Sequence, residues 1–287
     1  MGLFSRSEYT KAGPGISKNA PEKKPFFQFT ELYFRKIGKL VKVNLLYLLF
    51  CFPALTLLVM FLPTKSLLLW YTIPTCLIGP ATVGMTKVVK DLTLERPVFL
   101  ISDFWDSFRE NFKHSAIYGV IFSLITTIIM FSTLSYIEML HKGLLYYALL
   151  GLILAATLLF AFMNCYIYLQ MVTVRLTFIG IITNSFRFAV LGFKKNFFTI
   201  LFCGIISFLC FWYFPYSLLF IVPIGFSTIN MITTFNSYPC IKKYIVDPYY
   251  EAHPEEHPDY RPDGDEEEES VFSDEQLIPS SDDDEEE

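Results

Sequence analysis

Residues 71–119 read YTIPTCLIGPATVGMTKVVKDLTLERPVFLISDFWDSFRENFKHSAIYG. The stretch holds the end of one uncharged apolar run, a bridge carrying Lys87, Lys90, Arg96, Arg109 and Lys113, and the start of the next apolar run at Ile117. A backbone surrounded by hydrocarbon must satisfy its own hydrogen bonds, so apolar runs of this length are helices. About 20 residues rising ~1.5 Å each cross the ~30 Å hydrocarbon layer of a bilayer.

Working outward, six such runs appear: Val43–Leu62, Leu67–Val89, Ile117–Ile137, Leu144–Leu169, Phe197–Phe214 and Leu218–Phe235. The period-two alternation of a membrane barrel is absent from the sequence. The expected fold is therefore all-α: a polytopic transmembrane helical bundle of about six spans, with cytoplasmic interfacial helices and disordered termini. Only Pro215 and its aromatic neighbours divide the fifth run from the sixth, so one long bent helix is the alternative there. Of the 287 residues, 53% are hydrophobic, with 30 Phe and 17 Tyr, which is too apolar for an ordinary soluble domain.

Charge sets the expected domains and orientation. Residues 1–25 read as a disordered basic arm, 26–245 as the transmembrane helical domain, and 246–287 as a disordered acidic cytoplasmic tail. That tail holds 19 of the 28 acidic residues and one basic residue, Arg261. With the N-terminus inside, 21 of the 23 Lys and Arg residues fall on the cytoplasmic side, leaving Lys65 and Lys142 outside. The positive-inside bias then puts both termini in the cytoplasm of a multi-pass protein in the plasma (inner) membrane. No apolar leader core precedes Val43, so the first span is expected to act as its own insertion signal.

Two segments read as interfacial. Phe26–Lys42 mixes aromatic and basic residues and suggests a separate helix at the headgroups. In the bridge, Phe104, Trp105, Phe108 and Phe112 share one helical face. Asp103, Asp106, Arg109, Glu110 and Lys113 take the other, and Ser102 and Asp103 are candidate N-caps. Residues 176–196 repeat the idea. The interfacial candidates are thus Phe104, Trp105, Phe108, Asn111, Phe112 and Lys113, resting on lipid, on the bundle or on a partner.

The runs are short of reactive chemistry. No ionisable Asp, Glu, Lys, Arg or His lies well inside one, which argues against proton-coupled pumps and metal-dependent intramembrane hydrolases. The six cysteines sit in or beside apolar runs without a CxxC pair and read as small core residues. His253 and His257 stand four apart, but Pro254 and Pro258 work against a helical metal site, and no cofactor is expected. Asn44, Pro53, Gly79, Pro80 and Ala81 form the candidate pathway, because broken helices can expose backbone near the bilayer midplane. Packing kinks are the plainer reading of the same prolines.

Phe-Arg recurs at residues 34–35, 108–109 and 186–187, each before an inward-to-outward helix. Sliding the chain by 152 residues aligns Lys42 with Lys194, Asn44 with Asn196, Cys51 with Cys203 and Pro63 with Pro215. A parallel duplication of the first and last hairpins would explain this, as would convergent positive-inside sequence.

Asn44 opening a helix with Pro53, then Gly79-Pro80-Ala81-Thr82, Asp103-Phe104-Trp105, Ser107-Phe108 and Asn111-Phe112-Lys113, resembles the YesL-type bacterial membrane protein family. The resemblance implies an uncharacterised integral membrane protein with a lean toward carbohydrate transport, and it supplies no catalytic residues. The expected function is a non-enzymatic accessory or permease-like component linked to carbohydrate uptake. The alternative is a membrane-anchored scaffold or regulatory protein that works through the interfacial helix and the acidic tail. Expected partners are the lipid bilayer and a carbohydrate transporter or a cytosolic protein, with no nucleic acid. A lipid-modifying enzyme using Asp103, Asp106, Glu110 and His114 is the least favoured reading.

Overall fold

The computed structural model describes residues 24–61 and 67–256, apart from the side chains of 55, 58–61, 67–75 and 256. Helices dominate: α1 Pro25–Phe61, α2 Leu67–Thr93, α3 Leu100–Glu110, α4 Phe112–Met139, α5 Leu144–Met171, α6 Phe178–Leu191 and α7 Phe193–Trp212. The turn α8, Leu218–Phe220, leads through a π-helical turn at Ile221–Gly225 into α9, Phe226–Ile241. No strand occurs among the described residues. Among the described residues five helical segments, beginning at Pro25, Phe112, Leu144, Phe193 and Leu218, are long and apolar enough to cross a membrane. The second sequence run lies in α2, whose side chains up to Thr75 fall outside the described set.

Apolar exposure fits that reading. Leu144, Leu152, Phe202, Phe208 and Leu219 are all more than half exposed, an arrangement that costs free energy in water and none in lipid. The core lies instead between α1, α2 and α9, where Leu40, Val43, Ala81, Val88, Val89 and Met231 are fully buried.

Several expectations change. Phe26–Lys42 is no separate interfacial helix. It is continuous with the first span, because nothing between Pro25 and Pro53 breaks the helical pattern. Pro25 sits at the first helical position, where its missing N–H costs nothing. Tyr33 and Phe29 tie this extension to α9, through a 2.9 Å hydroxyl pair with Thr228 and an edge contact with Phe235. The expected division of the fifth and sixth runs holds, and they are separate helices. α7 ends at Trp212, and a turn containing the cis Phe214-Pro215 bond precedes α8.

Geometry demands glycine at positions 79 and 143. At Gly79 a Cβ would stand 3.0 Å from the Ser115 carbonyl carbon and closer still to its oxygen, so α2 and α4 meet there backbone to backbone. Gly143, with φ 139°, makes the turn between α4 and α5 in a region that side chains disfavour.

The chain divides into two units, residues 1–239 and 240–287. In the second, a π-helical turn at Lys242–Val246 leads into α10, Asp247–Ala252, so the acidic tail begins as a helix. Tyr249 stacks on His253 there, with ring centroids 4.7 Å apart.

Candidate functional site

The first unit has one chemically distinctive end, where α2 and α5 finish and α3 and α6 begin. Both connections follow one plan. A loop of residues 94–99 joins α2 to α3, and 172–177 joins α5 to α6. Each short helix then breaks at a single residue, Asn111 or Gly192, before the long helix that follows. The second and third Phe-Arg pairs occupy α3 and α6. The first lies in α1, which is uninterrupted. Buried Leu40 stands there where the 152-residue shift would place Gly192.

α3 begins at Leu100, not after Ser102 or Asp103. Phe99 precedes it without a side-chain cap. Asp103 instead reaches back from inside the first turn and accepts the Phe99 N–H at 2.9 Å, while the Ser102 hydroxyl donates to Asp106 at 3.2 Å. The aromatic face docks on α1. Phe104 is fully buried, and it, Trp105 and Phe108 surround Phe50 at ring distances of 5.1, 5.7 and 5.2 Å. Asn111 ends the helix by donating to the Ser107 carbonyl at 3.2 Å. Phe112 starts α4, so the sequence face spans a break, and Phe112 and Lys113 are exposed.

At the end of α2 the structure gathers charges that the sequence places in a loop. The helix continues past the apolar run to Thr93 and carries Lys90 and Asp91 with it, each at most 5% exposed. Lys90 Nζ donates to the Val172 carbonyl, 2.7 Å away at the end of α5. Lys87 pairs with Asp91 Oδ2 at 3.0 Å, while Asp91 Oδ1 is buried without a partner. Lys90 lies one residue beyond the apolar run. Burial pushes its ammonium down to about 8, Lys87 adds to the fall and Asp91 opposes it. The signal available in the sequence was the i, i+3, i+4 spacing of Lys87, Lys90 and Asp91 among Val88, Val89 and Leu92, which continues the helical pattern.

Between these elements lies an open cavity of about 1,090 Å³. Lys87, Asp103, Asp106, Ser107, Glu110, Asn111 and His114 line one side, and the α5–α6 loop with Phe178 and Ile181 lines the other. Among the described residues no cluster of three or more His, Cys, Asp or Glu side chains is placed to hold a metal ion.

The candidate pathway residues lie elsewhere, and all but Pro53 are buried. Asn44 is fully buried. It donates to the Ile221 and Val222 carbonyls at 3.1 and 2.7 Å and accepts the Ser227 N–H at 2.9 Å. Those groups flank Pro223, which interrupts helical pairing, so one side chain bridges the break. Asn196 acts similarly on α6, donating to the Phe188 and Ala189 carbonyls while accepting the Tyr166 hydroxyl at 2.6 Å. Gly79, Pro80 and Ala81 are buried, with Gly79 against α4. Pro53 is exposed within α1, and its carbonyl accepts the Thr56 hydroxyl at 2.8 Å.

Fold and cavity together define a multi-helix membrane protein with a polar, charged recess at one end of the bundle. Over residues 40–133 the chain is similar to a family described as a protein of unknown function, DUF624. That stretch covers most of α1, then α2 and α3, and most of α4. No curated protein and no solved structure matches the chain.

Proposed function

We propose that the chain is a non-enzymatic accessory component of a solute-uptake system in a bacterial plasma membrane, with both termini cytoplasmic. The charged recess then faces the cytosol. The observation that carries this reading is the neutral interior of the bundle, whose polar side chains pair from one helix to the next. Tyr118 donates to Asn164 at 2.6 Å, Asn230 to Thr86 at 2.8 Å and Gln170 to Ser185 at 2.8 Å. Such pairs hold helices together, and among the described residues no charged relay runs along the spans. The YesL-type resemblance points to carbohydrate as the solute class to test first. Co-purification in mild detergent with a transport ATPase or a solute-binding protein supports the proposal. Unchanged sugar uptake in a deletion strain overturns it.

A scaffold is the second reading, favoured by Trp105 and Phe112, which stay 41% and 42% exposed beside the carboxylates of α3. Truncation after Tyr244 separates the two. Loss of activity with normal insertion favours the scaffold, and retained activity favours the uptake role.

A further inference from the structure

A second cavity, of about 410 Å³, is a groove between α5 and α7. Leu158 of α5 lines it together with Phe197, Leu201, Gly204, Ile205 and Phe208 of α7. The five α7 residues recur at helical spacing and form one stripe. At ~1.5 Å rise per residue, Phe197 and Phe208 stand about 16 Å apart along the axis, close to half of the ~30 Å hydrocarbon layer. The groove is therefore about as long as one acyl chain of one leaflet. Its middle is open because Gly204 has no side chain, and nothing stands within 4 Å of where a Cβ would lie. On α1, Phe52 stands where the 152-residue shift would place Gly204.

Charge marks one end of the same stripe. Lys194 lies one turn before Phe197 and on its face, and Lys195 adjoins it. Both are exposed, and neither forms an ion pair among the described residues. No acidic residue occurs between Glu138 and Asp247, so this connection has no carboxylate of its own to balance Lys194, Lys195 or the exposed Arg187. The matching connection differs, since α3 sets Asp103, Asp106 and Glu110 beside Arg109.

We infer that the groove holds an anionic glycerophospholipid. One acyl chain lies along Phe197–Phe208 and crosses the gap at Gly204, while the phosphodiester meets the ammonium groups of Lys194 and Lys195. Each lysine beside the headgroups favours anionic lipid about fivefold. The apolar recess supplies retention, and the two cations supply the choice of headgroup. This inference goes beyond the uptake proposal and stands or falls separately.

The test reconstitutes the full chain with equal amounts of phosphatidylglycerol and phosphatidylethanolamine, returns it to mild detergent and reads retained lipid by native mass spectrometry. One lipid per chain is expected, with phosphatidylglycerol favoured about tenfold or more. Lys194→Gln combined with Lys195→Gln should abolish that preference, and these exposed positions leave the fold intact. Gly204→Phe, which copies α1, should lower retention of both lipids several-fold. Lys39→Gln combined with Lys42→Gln removes as many exposed cations from α1 and should change neither quantity. Equal retention of the two lipids by the parent chain, or no retained lipid, overturns the inference. So does an equal loss of preference in the α1 variant, which would mark a general attraction of basic ends for anionic lipid. Full retention by Gly204→Phe, or a two-chain mass that Gly204→Phe dissociates, overturns it as well, the latter by making a second copy the occupant.

Discussion

Replacing Gly79 with alanine tests whether the Gly79-Pro80-Ala81 segment is a packing contact. The added Cβ would lie 3.0 Å from the Ser115 carbonyl carbon, with the oxygen nearer still, whereas relaxed carbon contacts fall at about 3.5–4.0 Å. Both obstructing atoms belong to a helical backbone, which cannot rotate aside as a side chain would. α2 and α4 must therefore separate by at least about half an ångström, and overpacking of this kind costs about 1–3 kcal/mol. At about 2–4 °C per kcal/mol for a chain of this size, the melting midpoint in detergent should fall by about 2–12 °C. Gly204→Ala is the control. Nothing stands within 4 Å of a Cβ there, so the helix should gain about 0.5–1 kcal/mol from lower backbone entropy. Thermal unfolding followed by size exclusion reads both. Equal tolerance of the two substitutions would refute the argument and return the segment to candidacy as an open pathway.

Three further outcomes are expected. Asn44→Leu leaves two buried carbonyls and one N–H near Pro223 without partners, and should cost about 2 kcal/mol or more in the same melting assay. Stability should rise as pH passes from about 8 toward the ordinary lysine range. Across that window the unfolded chain binds a proton at Lys90 that the folded protein releases. The difference curve against Lys90→Met, measured by denaturant titration at each pH, should show the rise only in the parent protein. Finally, a membrane-impermeant maleimide applied to intact cells should label Lys142→Cys and spare Arg175→Cys. The reverse pattern would invert the proposed orientation.

Much of the architecture was legible because hydrocarbon imposes a length and a composition on every span. The runs beginning at Ile117, Leu144, Phe197 and Leu218 reappear as helices shifted by a few residues. The amphipathic face of α3 was legible for the same kind of reason, since Phe104 and Phe108 recur at helical spacing and dock together on Phe50. The start of α3 was not. Cap statistics favoured Ser102 and Asp103, but a capping carboxylate can also act from inside the first turn, and Asp103 does. The charges at the end of α2 were misplaced because sequence counts them by distance from an apolar run, while burial depends on the α5–α6 loop that folds over them.

The amino-acid sequence alone therefore determined an all-helical membrane chain, because apolar length and backbone hydrogen bonding admit no other spanning structure here. Only the tertiary structure decided what its polar residues are for. It turned Asn44 and Asn196 into bridges across broken helices, and Gly79 into a backbone contact. It also set Asp103, Asp106, Glu110 and Ser107 around a cavity whose other wall lies some seventy residues further along the chain. Those roles arise from neighbours remote in sequence, and residue type and spacing carry no record of them.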